Sequence, residues 1–262
     1  MEHTEESEAT SIRIEEAVAQ AVQDVVRLHQ QIANTDVGEG DVWFKNLLCR
    51  ILTAALRDFE HVRVALPVTF IAMSRRSLLE LEMITRYVLD SKGGAVKVKH
   101  DLLIDAKEFW EACSNHIKAS HQHRLAGYAE SANAAQGLMK QSWEEALRIE
   151  SERGPQTAEC DAEAQACRGV LAEEGVGDKE RPITPTSMAS HLKRSEDFNP
   201  MFRLCSKLMH RTSLSIASTQ SSGSLDAIIP TLKNSAVGDL LSVFSQIKKY
   251  IETNGVSIPL KP

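Results

Sequence analysis

Apolar positions recur at helical spacing along most of the chain, and they set the elements to expect. Val18, Ala21, Val22, Val25, His29 and Ile32 fall on one face of a helix starting near Ser11. The stretch "DVGEG" then breaks it. Asp41 stands as N-cap of a second helix carrying Phe44, Leu47, Leu48, Ile51, Leu52, Ala55, Leu56 and Phe59. Pro67 suits the first turn of a third, which the Gly93–Gly94 pair stops. From Asp101 to about Ser151 the pattern stays helical, as one helix or two. Leu102, Ala106, Phe109, Trp110, Cys113 and Ile117 make its first stripe; Leu125, Tyr128, Ala132, Ala135, Leu138 and Met139 make a later one. A short helix from about Ser187, a "FNPMFRLCSKLMH" helix and a closing helix around Asp226–Thr253 complete the series.

Between them, residues 152–186 are rich in Gly, Glu and Pro, which predicts a mobile linker around a short helix near Ala158–Glu173. Residues 1–10 are acidic and polar and predict disorder, and 254–262 a C-terminal tail. No strand period competes and no internal repeat is present. The expected fold is all-α, a single helical-bundle domain over 11–253 with a polar, partly disordered internal linker.

Composition narrows the functional classes. Aromatic residues are only 5% of the 262, so the core must be built from aliphatic side chains, which suits helices. A formal charge of -6 disfavours duplex DNA binding by the surface as a whole, while a local basic patch remains compatible with it. Five cysteines without a C-x-x-C spacing read as reduced thiols. The polar start is no signal peptide, and the longest apolar run, near "VALPVTFIAM", is too short to span a bilayer. These features lead to an expectation of a cytoplasmic, soluble protein with no membrane partner.

Several chemistries lack their motifs. There is no G-x-x-x-x-G-K-[ST] loop, no G-x-S-x-G elbow, no H-E-x-x-H helix and no Glu-x-x-His pair. His116, His121 and His123 have no i,i+4 partner, so they read as solvated rather than metal-ligating. No metal and no cofactor is expected.

Two stretches do carry a signal. On "SRRSLLELEMITRYVL", Arg76 and Glu80 share a wheel face with Met73, Met83, Ile84 and Tyr87, leaving Arg75, Glu82 and Arg86 as a narrow polar strip. This predicts a central helix with a buried Arg76–Glu80 pair. On "FNPMFRLCSKLMHRTS", Met201, Phe202, Leu204, Cys205, Leu208 and Met209 form one arc. Arg203, Ser206, Lys207, His210 and Arg211 form the other, a cationic face in an acidic protein. A last-turn His or Arg is favoured by the helix dipole, but that does not account for Arg203 two turns before His210.

These stretches resemble a bacterial all-α domain-of-unknown-function family. Its R-S-L-x-E helix is matched by Arg76, Ser77, Leu78 and Glu80, and its late S-x-x-x-H helix by Ser206 and His210. The likeness covers roughly residues 40–250, with Arg211 standing where that family often has Pro. A weaker resemblance is to the HEPN superfamily of helical bundles, through Arg203 and His210 at the outer limit of its Arg–His spacing. Leu204 occupies the position that is usually polar there. The HEPN resemblance implies a metal-independent ribonuclease in a bacterial defence or toxin setting, acting on RNA as a homodimer. His210 would be the general acid or base and Arg203 the stabiliser of phosphorane charge. Arg76, Glu80, Ser206, Lys207 and Arg211 would bind or support. A noncatalytic helical interaction or sensor protein is the alternative, and a small-ligand binding bundle stays open as a third class.

Overall fold

The structure, a computed structural model, describes the backbone of residues 2–64, 67–127, 136–176, 183–209 and 228–258. Side chains are described for these except 2–14, 113–114, 116–127, 136–143, 145–147 and 149–150. Among the described residues there are eight α-helices and no strand, so the protein is all-α. They are α1 (Glu2–Ala33), α2 (Val42–Arg63), α3 (Val68–Asp90), α4 (Gly94–Gly127), α5 (Gln136–Glu173), α6 (Pro185–His191), α7 (Ser195–Met209) and α8 (Ile229–Asn254), with a 3-10 turn at Glu39–Asp41. The chain falls into two compact units. The first combines Met1–Ala95 with Thr184–Pro262; the second is Val96–Ile183.

In the first unit α3 is the hub, packed by α2, α7 and α8, while α1 covers α2 and α6 lies on α3 and α7. The α2 stripe Phe44, Leu48, Leu52 and Phe59 is fully withdrawn from water. It meets Ile71, Leu78 and Met83 of α3 and Leu232, Val243 and Ile247 of α8 in one aliphatic core. Phe198, Cys205 and Leu208 bury the apolar arc of α7 as its spacing requires.

Local chemistry sets most helix ends. Pro67 holds an extended backbone just ahead of α3. Asp41 does stand at the N-cap of α2, but its side chain does not cap the helix. Asp41 Oδ1 instead accepts the Ile258 N–H at 2.8 Å. With Val256 buried and Tyr250 Oη donating to the Ser257 carbonyl, the expected tail is docked as far as Ile258. Thr184 and Ser187 form a reciprocal capping box at α6. Between α3 and α4, Gly94 N–H bonds the Ser91 carbonyl, and a Cβ at Gly94 would overlap the Tyr87 carbonyl oxygen. Only glycine permits that close approach.

In the second unit α4 and α5 run antiparallel, cross-linked by Lys99–Glu163, Lys107–Asp161 and Arg168–His100. Two expectations are corrected here and in α1. Residues 152–157 are not a mobile linker, because α5 continues unbroken through Pro155 to Glu173 and takes in the helix expected near Ala158–Glu173. An internal proline removes one ladder bond, yet the stripe Cys160, Ala164, Cys167 and Leu171 is buried and carries the helix onward. The acidic start is also helical, since α1 begins at Glu2 rather than Ser11. Residues 177–182 of the expected linker lie outside the described residues.

Candidate functional site

The outward side of α3 is the place to which the sequence signals lead. Arg76 and Glu80 are joined at 2.8 Å as predicted, but their side chains keep 26% and 29% of their exposure. The buried charges are instead Arg75 and Glu82, at 3% and 5% exposure. The wheel reading is therefore inverted. Apolar residues nearly encircle α3, so the polar strip could face either way, and α8 decided the matter by presenting partners for it.

Those partners are spaced four, three and four apart on α8. Arg75 donates to Ser235 Oγ at 2.8 Å and to Asp239 through a short charge-assisted hydrogen bond. Glu82 accepts from Ser242 Oγ at 2.8 Å and from Arg86 at 3.0 Å, and Gln246 Nε2 donates to Ser242 Oγ at 2.9 Å. Burial pushes the Asp239 carboxyl up to about 7; Arg75 pulls against this and the Glu82 charge adds to it. The Cys205 thiol of α7 is pushed up to about 11, mainly by burial, with Arg75 opposing. The readable signal for this network was the stripe Ser235, Asp239, Ser242, Gln246, at helical spacing on the closing helix. Such a network fixes the register of α3 against α8, because each buried charge must find its partner.

On the other side, α3 presents a strip bounded by two contacts. Toward α2, Ser77 Oγ donates to the buried carboxylate of Asp58. Toward α7, the Arg76 guanidinium lies 4.3 Å from the Phe202 ring centre, and Phe202 stacks on Phe198 at 5.0 Å. Phe70 and Met73, on the same outward side, remain half exposed. The strip thus joins an apolar floor to an arginine held in place by a carboxylate and an aromatic face.

From this strip α7 turns its cationic arc outward. Ser206 is half-buried, while Arg203 and Lys207 are exposed one turn apart. Arg203 lines a shallow depression of about 460 Å³ with Ser195, Glu196, Asn199 and Pro200. His210 and Arg211 lie outside the described residues, as do the side chains of His116, His121 and His123. The structure thus brings Arg76 and Glu80 together and places α7 beside them.

A second polar cluster, in the α4–α5 unit, had escaped sequence reading. Lys97, His100 and Asp101 are all buried. Arg168 Nε donates to His100 Nε2 at 3.2 Å, which leaves the ring proton on Nδ1, 3.0 Å from Asp101 Oδ1. Lys97 also donates to Asp101 Oδ1, and Asp101 Oδ2 accepts the Ile183 N–H at 2.8 Å. With both imidazole nitrogens engaged, this histidine orients neighbours rather than reacting. Lys97 and Asp101 at i,i+4 were the visible trace of it.

Among the described residues, no group of three or more His, Cys, Asp or Glu is placed to hold a metal ion, and no helix is long and apolar enough to cross a membrane. Fold and site together define an all-α protein with an α3-centred helical unit and, beside α3, an α7 whose second half exposes Arg203 and Lys207. Compared with protein-family models, curated proteins and solved structures, the chain matches none.

Proposed function

We propose that the protein is a metal-independent ribonuclease of HEPN type, with His210 and Arg203 as its reacting pair. The observation that supports this reading is the state of Arg203. It is exposed on α7, one turn from exposed Lys207, and lines a shallow depression with Ser195, Glu196, Asn199 and Pro200. A cation in that position is available to an RNA phosphate. In the proposed reaction His210 removes the 2′-hydroxyl proton as that oxygen attacks the adjacent phosphorus. Arg203 stabilises the charge that develops on the phosphoryl oxygens, and the 5′-oxygen leaves with a proton. The products are a 2′,3′-cyclic phosphate and a free 5′-hydroxyl. Lys207 and Arg211 hold flanking phosphates, and Arg76, fixed by Glu80 and Phe202, supports the α7 face.

The test is cleavage of single-stranded and transfer RNA by purified protein in EDTA. The expected result is cyclic-phosphate ends from the wild type and loss of cleavage in both His210→Ala and Arg203→Ala, with unchanged melting temperatures. Absence of cleavage by the wild type overturns the reading. The buried Arg75–Asp239 and Glu82–Ser242 network favours a second reading, a noncatalytic helical interaction protein whose polar residues set register. That reading expects no nuclease activity and a lowered melting temperature in His210→Ala.

A further inference from the structure

We propose that His100 is an acid-opened latch between α4 and α5: a proton taken up at its Nε2 displaces Arg168 and loosens the last turns of α5. The inference rests on the α4–α5 unit alone and stands apart from the ribonuclease reading.

The geometry at the ring carries it. His100 is 1% exposed and is held from both sides. Its Nδ1 lies 3.0 Å from Asp101 Oδ1 on the same helix, and its Nε2 accepts from Arg168 Nε at 3.2 Å across the helix pair. A guanidinium has donors and no acceptor, so Arg168 can stay only while Nε2 keeps its lone pair. A proton on Nε2 turns that nitrogen into a second donor and sets an imidazolium against a guanidinium. Both contacts cannot survive. Arg168 is the group that leaves, because it is only half-buried, while the ring is enclosed and its Nδ1–H gains by facing a carboxylate.

The charges facing the ring are Lys97 and Asp101 from α4 and Arg168 from α5, and the neighbouring Lys99 and Glu163 pair with one another at 3.1 Å. Lys97 and the Ile183 N–H stay on Asp101 in either state of the ring, so the change is confined to the α5 side. Loss of the Arg168 bond matters to the hairpin. Lys99–Glu163 and Lys107–Asp161 also join the two helices, but their carboxylates are 46% and 54% exposed, and pairs of that kind contribute little. The bond to His100 is the sheltered one. Histidine is the side chain that ordinarily titrates between about pH 5 and 8, which sets the range to search.

Ring-nitrogen correlation spectra of the isotope-labelled full chain, titrated from about pH 8 to about pH 5, test this. His100→Gln, which keeps an acceptor and cannot be protonated, identifies the His100 signals among the nine histidines. The wild type is expected to show the Nδ1–H tautomer at the alkaline end, then protonation of Nε2 with a simultaneous shift of the Arg168 Nε–H signal. Amide exchange over the same range, corrected for the intrinsic effect of pH, should rise about fivefold in residues 164–173, the weight of one hydrogen bond. It should stay level in His100→Gln. In Arg168→Leu those residues should exchange at the faster rate from the alkaline end onward, with no further rise in acid. A ring that stays neutral over that range overturns the proposal. So does a ring that gains its proton without moving the Arg168 signal, or protection of residues 164–173 that is indifferent to pH.

Discussion

Arg75 of α3 and Asp239 of α8, 164 positions apart in sequence, are joined by a buried charge-assisted hydrogen bond that ties the two helices together. Removing one partner strands the other charge away from water. Arg75→Ala should therefore cost about 3–5 kcal/mol, as for other broken buried pairs. Arg76→Ala, one position on, removes a half-exposed i,i+4 pair and a cation–π contact and should cost about 1 kcal/mol. Urea unfolding of the two variants checks the contrast, and equal losses would contradict the assignment of inner and outer arginine.

Asp239 also makes stability depend on pH. Its carboxyl rises from 3.8 to about 7 on folding, chiefly through burial. The folded state thus holds a proton that the unfolded chain has released, and folding takes up that proton between about 4 and 7. The stabilising contribution is full below the lower value and is lost as pH climbs through the higher one. Melting temperatures of the wild type and Asp239→Asn should therefore diverge against the wild type from pH 4 to 7 and run parallel above about 8. Divergence in the opposite sense would refute the shift.

Gly94 permits α4 to start against the last turn of α3. Gly94→Ala places a methyl group on the Tyr87 carbonyl, a backbone atom that cannot swing away. The cost should be roughly 1–3 kcal/mol through overpacking. Gly38→Ala, where a Cβ meets nothing, is the control and should have a much smaller effect. Thermal melting of both variants distinguishes steric need from general loss of glycine flexibility.

Lys193 closes α6 with φ 57, a left-handed conformation, while Arg194 N–H reaches back to the Ala189 carbonyl. A non-glycine residue there carries strain of roughly 1 kcal/mol. Lys193→Gly should accordingly stabilise the protein by about 0.5–1 kcal/mol, read as a higher urea midpoint at unchanged slope. A lower midpoint would show that the lysine side chain contributes more than its backbone costs.

Helix type and most helix boundaries were written in short-range pattern. The 3.6-residue spacing of Phe44 through Phe59, the break before Asp41, Pro67 ahead of α3 and the Gly93–Gly94 stop are decided within a few residues of each position. Sterics and backbone hydrogen bonding act at that range, so the sequence alone determined an all-α protein and the apolar arc of α7. Its reading failed where local preference was overruled from a distance. Pro155 and Gly154 signal a break, but the buried stripe Cys160, Ala164, Cys167 and Leu171 keeps α5 whole. Which arginine of the Arg75–Arg76 pair turns inward was likewise undecidable locally, because α3 is apolar on nearly every side. Only the tertiary structure resolved it, by bringing Ser235, Asp239 and Ser242 against Arg75 and Glu82 and leaving Arg76 to Glu80 and Phe202. A buried charge is tolerable only beside its counter-charge, and here that counter-charge lies 164 positions away.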